Sequence, residues 1–259
     1  MDIQGAFNMV QADRLWAKLI QQGWPSFIAN WARSFTSSRQ ARVRFEDYTS
    51  NFHDIPAGVP QGSPASPILF MLYTEGLYRL TRPNRKFGFA DDIGTLAIGP
   101  SLEHNVSQLE PEAAELISWG ARNGLNFDLE KCGLQHFTRK RNLPRPSLWI
   151  GENEIKPSTH ALRYLGIFLD SKLSFREHVL VRASKARSVA LHLQQINRTA
   201  TGAPAQLLRQ AASATVLASL YYGAEAWFPG LSYQRKDKTV STRIASLVSI
   251  CDKVQNTAL

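Results

Sequence analysis

The chain has 259 residues, 44% of them hydrophobic, enough to bury one large core or two smaller ones. Its 30 Lys+Arg against 21 Asp+Glu leave a formal charge of +9, which points to a polyanionic partner, most often nucleic acid; a basic soluble protein without such a partner is the plain alternative. Two cysteines, Cys132 and Cys251, exclude a disulfide framework and a thiolate metal cluster and fit a reducing intracellular compartment; no run is long enough to span a membrane, and MDIQGAF has neither signal-peptide nor transit-peptide character.

Residues 1–7 read as the tail of a strand, and a helix is expected from about Asn8, with Ala12, Leu15, Trp16, Leu19 and Ile20 on one face and Gly23 as its stop. Residues 25–35 read as a second helix with Pro25 near its first turn. Residues 41–46 alternate as a strand does, and residues 52–56 lead into a Gly/Pro loop before a helix over 66–80. Residues 86–98 predict a β-hairpin with Asp91 and Asp92 at or beside the turn. An amphipathic helix follows over 101–123, stopped at Gly124. Strands are expected at 133–137 and 162–169, and a small hairpin over 147–156 around Gly151. The remainder reads as helix over 174–198 and 204–222, then a polar tail that resumes helical periodicity near Ile244. The order is mixed α/β first and all-α afterwards, with a boundary near Asp170.

Adjacent carboxylates such as Asp91 and Asp92 repel unless a cation sits among them, and an ordinary surface turn is the default reading of such a pair. Mg²⁺ takes hard oxygen donors from one or two carboxylates plus substrate phosphates. Two such ions about 4 Å apart clamp the attacking and leaving oxygens of a phosphoryl transfer. Three further stretches favour the metal: DIQGAFN (residues 2–8), the Gly/Pro-dense GVPQGSPASPILF (58–70), and GLNFDLEKCGLQHF (124–137), with Lys131 just before the expected strand.

In this order and spacing the chain resembles the reverse transcriptases of non-LTR retrotransposons, of a fungal or arthropod-like kind. DIQGAFN resembles the family's motif A, PQGSPASP its motif B, FADD its motif C, GLNFDLEKC motif D, and LRYLGIFLD motif E. SLYYGAEAWFPG is similar to the thumb and connection, and residues 253–259, KVQNTAL, to the start of a segment leading toward an RNase H-like domain. The resemblance implies an α/β fold: an α+β palm with an antiparallel sheet and packed helices over 1–170, an all-α thumb or connection over 171–230, and a truncated linker over 231–259.

It also implies roles. Asp2, Asp91 and Asp92 match the metal-binding aspartates for two Mg²⁺ ions, with Mn²⁺ as a substitute; Asp2 and Asp91 would bridge them, and Asp92 has the weaker role. Phe7 matches the aromatic gate that excludes a ribose 2′-OH, and so argues against an RNA-dependent RNA polymerase. Gln61 and Gly62 match the loop beside the incoming nucleotide, and Lys131 the lysine that protonates pyrophosphate. Phe89 stands where the family more often has Tyr, near the primer end. Phosphate contacts are expected from Lys172, Arg176, Arg182, Lys185, Arg187 and Arg198, with a solvated helix face as the alternative. The implied partners are an RNA template, a DNA primer and a dNTP, with no membrane; the implied location is the nucleus or mitochondrion. The six histidines show no ligand spacing, and Trp149, Trp227 and Phe228 are either core or base-stacking residues. The family's fingers precede motif A, so the chain is expected to be a fragment lacking fingers and endonuclease regions and inactive alone. A non-catalytic nucleic-acid-binding remnant is the alternative reading.

Overall fold

The computed structural model describes residues 1–80, 85–140, 143–197, 202–230, 232–235, 238–241 and 244–258. It mixes helices with small antiparallel sheets. The chain divides into two compact units, Met1–Leu134 with Pro144–Pro157, and Gln135–Leu143 with Ser158–Leu259. Arg198 lies outside the described residues.

The first unit opens on β1 (Asp2–Ile3). Gly5, in the left-handed region, turns the chain at once into a 3-10 turn over Ala6–Asn8. The strand is therefore shorter than the expected 1–7, and the first helix, α1 (Ala12–Gln21), begins later than Asn8. It pairs with α2 (Ser26–Thr36). The strand expected at 41–46 is instead part of two short ladders: β2 (Arg39–Ala41) with β5 (His53–Ile55), and β3 (Arg44–Phe45) with β4 (Tyr48–Thr49). Left-handed Glu46 makes the reversal inside that segment.

Helix α3 (Ala65–Tyr78) buries Ser66, Leu69, Phe70, Tyr73, Thr74 and Leu77, the spacing of a core-facing stripe. Then β6 (Arg85–Phe89) and β7 (Asp92–Leu96) form the expected hairpin. Helix α4 (Leu102–Arg122) is capped by Ser101, whose hydroxyl accepts from the His104 N–H at 3.1 Å, and stops before left-handed Gly124. β8 (Phe127–Asp128) completes an antiparallel sheet of order β6-β7-β1-β8. Ile3 and Ile93 of the sheet share a core with Leu15 and Leu19 of α1, Phe70 and Leu77 of α3, and Leu116 of α4. A buried ion pair, Lys86 to Glu112 at 2.7 Å, ties β6 to α4. The hairpin β9 (Leu148–Ile150) and β10 (Asn153–Ile155) turns at Gly151 as expected. Residues 133–137 form no strand; Leu134 makes only an isolated parallel bridge to Pro157.

In the second unit the expected strand over 162–169 is a hairpin, β11 (Ala161–Tyr164) and β12 (Ile167–Asp170), around Leu165 and Gly166. Both turn residues have positive φ, the requirement of a two-residue type I′ turn. Leucine adopts that backbone at a cost, and side chains hold it: the Tyr222 hydroxyl donates to the Leu165 carbonyl at 2.8 Å, and Arg182 to the Gly166 carbonyl at 2.9 Å. These bonds tie the hairpin to residues of the same unit. Asp170 accepts the Lys172, Ser174 and Phe175 N–H groups and so leads into α5 (Arg176–Asn197). Burial pushes its carboxyl up, but those N–H bonds win and hold it below the usual range.

Helix α5 buries Val179, Ala183, Ala186 and Ala190 in one stripe. The expected helix over 204–222 is α6 (Ala205–Ala212), a π-helical stretch Ser213–Leu217 and α7 (Ala218–Leu220). After α8 (Ala224–Trp227) the expected polar tail is a hairpin, β13 (Ser232–Arg235) with β14 (Lys238–Ser241), then α9 (Ala245–Ala258). Leu247, Cys251 and Val254 of α9 join the core of α5.

Candidate active site

The sheet places the acidic residues by register. Asp2 of β1 stands directly opposite Asp92 of β7 and, on its other side, Asp128 of β8. Phe89 stands opposite Asp92 on β6. Strand alternation sends Ile3 and Ile93 into the core and leaves this row on the other face. Bonds from the Ile3 N–H to the Asp91 carbonyl (3.2 Å) and from the Ile93 N–H to the Met1 carbonyl (2.9 Å) flank the Asp2–Asp92 pair. It is thus the narrow type of antiparallel pair, about 4.5 Å between Cα atoms. Asp91 sits in the turn beside left-handed Ala90. Desolvation pushes the Asp92 carboxyl up, and the negative charges of Asp91 and Asp2 push it further.

Lys131 reaches back across this row. Its ammonium lies 3.1 Å from Asp2 Oδ2 and 3.1 Å from Asp128 Oδ2. Its hydrogen bonds to Asp128 and Asp2 raise its pKa, and its bond to Asp128 holds that carboxyl below the usual range. Asp128 does not stand out in the sequence; its only signal is the three-residue spacing to Lys131.

The 58–62 loop is tied to the same region through backbone. The Gly58 N–H donates to the Val10 carbonyl and the Val59 N–H to the Phe7 carbonyl, each at 2.7 Å. Gly58 has φ +96, and a Cβ there would lie 2.8 Å from Asn8 Cα and from the Phe7 carbonyl oxygen. No side chain fits, which explains the glycine. Gln61 and Gly62 follow on the exposed part of the loop. The Phe7 ring is half-buried against Phe70, with centroids 5.3 Å apart.

The structure thus gathers Asp2, Asp92 and Lys131, with Asp91 adjacent, and fastens Phe7 to the loop carrying Gln61 and Gly62. Among the described residues, no three His, Cys, Asp or Glu side chains stand close enough together to form a ready-made metal cage. The donors nevertheless suit a hard divalent cation: they are oxygens only, and their mutual repulsion at Asp92 is what a cation relieves. Phe89 is 67% exposed beside Asp92.

On α5, Arg176, Lys185 and Arg187 are exposed, as is Lys172 before it. Arg182 is not: its guanidinium bonds the Gly166 carbonyl and lies over the Tyr222 ring at 4.0 Å, so it serves the hairpin turn rather than a free phosphate-binding face. Trp227 is core, whereas Trp149 and Phe228 are partly exposed. Burial pushes the Cys132 thiol up, which disfavours a nucleophilic thiolate.

Residues 1–169 match the family model "Reverse transcriptase (RNA-dependent DNA polymerase)". The chain belongs to the reverse transcriptase family. It is 29% identical, over its whole length, to the probable RNA-directed DNA polymerase from transposon X-element of Drosophila melanogaster, and covers 29% of that protein. Over 69% of its length it is 27% identical to the RNA-directed DNA polymerase from mobile element jockey of Drosophila funebris, covering 20% of it. Over 77% of its length it is 30% identical to the retrovirus-related Pol polyprotein from type-1 retrotransposable element R1 2 of Nasonia vitripennis, covering 50% of it. The chain therefore matches the reverse transcriptases of non-LTR retrotransposons and spans less than a third of the first two relatives. No helix among the described residues is long and apolar enough to cross a membrane.

Proposed function

We propose that the first unit is the palm of an RNA-directed DNA polymerase, that the helices of the second form its thumb or connection, and that the substrates are an RNA template, a DNA primer and a dNTP. The observation that carries this reading is the facing pair of Asp2 and Asp92, with Asp91 in the adjoining turn. Asp2, Asp91 and Asp92 would hold two Mg²⁺ ions, with Mn²⁺ as a substitute. Bound there, the ions supply activation of the primer 3′-OH and neutralisation of charge on the α-phosphate and pyrophosphate.

The chain's own residues do the rest. Lys131, kept protonated by its carboxylate neighbours, delivers a proton to the departing pyrophosphate. The Phe7 ring, braced by Phe70, rejects a ribose 2′-OH by clash. The loop fastened at Gly58 and Val59 presents Gln61 and Gly62 to the incoming nucleotide. Phe89 offers an exposed ring to the primer end. Arg176, Lys185 and Arg187 bind backbone phosphates without reading sequence.

The test is RNA-templated primer extension with Mg²⁺ and dNTPs, run on the chain alone and on the chain joined in frame to the preceding part of the X-element relative. The fused chain should synthesise DNA and lose that synthesis in Asp91→Ala. The chain alone is run beside it as the reference. A fused, folded chain that never extends, or one indifferent to Asp91→Ala, overturns the proposal.

A further inference from the structure

Asp2 sits between two neighbours of different kinds. Toward β7 it faces Asp92, a second carboxylate that Lys131 is not seen to bond. Toward β8 it faces Asp128, and the Lys131 ammonium straddles the two at 3.1 Å each. Lys131 takes one of the two Asp2 oxygens, Oδ2, and its positive charge stands where it opposes a second cation on the same carboxylate. Lys131 is 64% exposed, and exposed ion pairs of this kind are weak and exchange readily. Asp128 is the steadier partner. Its Oδ1 accepts the Glu130 N–H at 3.2 Å, which orients Oδ2 toward the lysine three residues on.

We propose that Asp128 is a positioning residue: it gives the Lys131 ammonium a second seat, so that a divalent cation can take Asp2 while the lysine stays in the site. The inference rests on the metal-binding reading above. Without a cation, Lys131 neutralises Asp2 and Asp128 together. With a cation held by Asp2, the ammonium would keep its bond to Asp128 on β8. It remains beside the reaction instead of swinging into solvent. Without Asp128 the ammonium has Asp2 alone and competes with the cation for it.

The test is a titration of the chain with Mn²⁺, followed by electron paramagnetic resonance of the free ion and by calorimetry. It uses the wild type, Asp128→Asn, Lys131→Gln and the double variant, with circular dichroism to confirm folding. Neither readout needs catalysis. Asn keeps an acceptor for the Glu130 N–H and removes the charge that seats the lysine. Asp128→Asn should weaken Mn²⁺ binding about two- to fivefold, the scale of an exposed ion pair. Lys131→Gln should tighten binding by a similar factor. In the Lys131→Gln background, Asp128→Asn should change nothing, because no ammonium is left to seat. Equal weakening by Asp128→Asn in both backgrounds would make Asp128 a ligand or a remote charge and overturn the inference. Binding indifferent to both positions would overturn it too, while leaving the metal reading intact. Failure of all four chains to bind Mn²⁺ would overturn both.

Discussion

Asp2 and Asp92 face each other as the narrow pair of β1 and β7, although most of the first unit's sequence lies between them. Like charges placed directly across a ladder destabilise the sheet. The fold keeps a pairing that costs stability, and a cation bound at that face would offset the cost. Asp92→Asn should therefore raise the melting temperature in metal-free buffer, by about 1–2 °C for a fraction of a kcal/mol. The same variant should lose part of the rise that Mg²⁺ or Mn²⁺ gives the wild type. Differential scanning fluorimetry with and without the cation reads both effects. A variant less stable than wild type without metal would show that Asp92 is structural instead.

The Lys86–Glu112 pair makes a prediction about stability alone. Both side chains are almost fully buried, at 4% and 0% exposure. Removing one partner leaves the other charged and uncompensated. Glu112→Gln or Lys86→Met should each cost about 3–5 kcal/mol in urea unfolding, and the double change to apolar residues should recover most of it. Additive losses in the double variant would contradict the pairing.

How much of the fold is legible in the sequence follows from what each residue does locally. The 86–98 hairpin is readable because alternation and a turn lie within one short window. The existence of α3 and the amphipathic pattern of α4 are readable for a similar reason, because both lie in local sequence. The 161–170 hairpin is not, because leucine carries no turn signal; Leu165 adopts its φ of +47 only because Tyr222 and Arg182 hold the turn from far along the chain. The strand expected at 133–137 does not form because a five-residue local pattern says nothing about whether an edge is available to pair with. The aspartates and Lys131 are legible through family motifs. Asp128 is not, because its position beside Asp2 is a matter of register.

Gly58 offers a check on the loop. A Cβ there would press on backbone atoms of Phe7 and Asn8, which cannot swing aside, and the residue's φ is left-handed. Gly58→Ala should destabilise the chain by more than about 1 kcal/mol. It should also free the Phe7–Val10 segment, read as faster amide exchange at Gly58 and Val59. Unchanged exchange would show that the loop is not held there.

On α5 the exposed and the engaged cations should separate. Replacing Arg176, Lys185 and Arg187 with Ala should weaken RNA–DNA duplex binding alike for unrelated sequences. It should also reduce the salt slope by about 0.7–0.9 for each phosphate that is no longer neutralised. Arg182→Ala should instead cost stability, about 1–2 kcal/mol for its carbonyl bond and its stacking on the Tyr222 ring. A salt slope that responds to Arg182 and not to the other three would reverse the assignment.

His178 sets an acid limit on the second unit. Its Nδ1 accepts the Phe168 N–H at 3.3 Å, and Nε2 meets the Tyr222 carbonyl at 2.9 Å, an arrangement that needs the neutral ring. Burial holds its pKa below the ordinary 6.5; the Tyr222 carbonyl opposes this and the Arg182 charge adds to it. The unfolded chain therefore takes up the proton first as pH falls. Stability from this group is complete above about 6.5 and declines toward the folded value. The urea midpoint should drop on going from neutral to mildly acid buffer, and the drop should shrink in His178→Gln. An identical drop in the variant would place the acid sensitivity elsewhere.

The most direct measurement is an anomalous-scattering map of crystals of this chain soaked in Mn²⁺. The expected result is a peak within coordinating reach of Asp2 and of Asp91 or Asp92, with the Lys131 ammonium displaced from Asp2. A peak seated only on other residues, or no peak at saturating Mn²⁺ with these carboxylates exposed to the soak, would contradict a metal-binding palm.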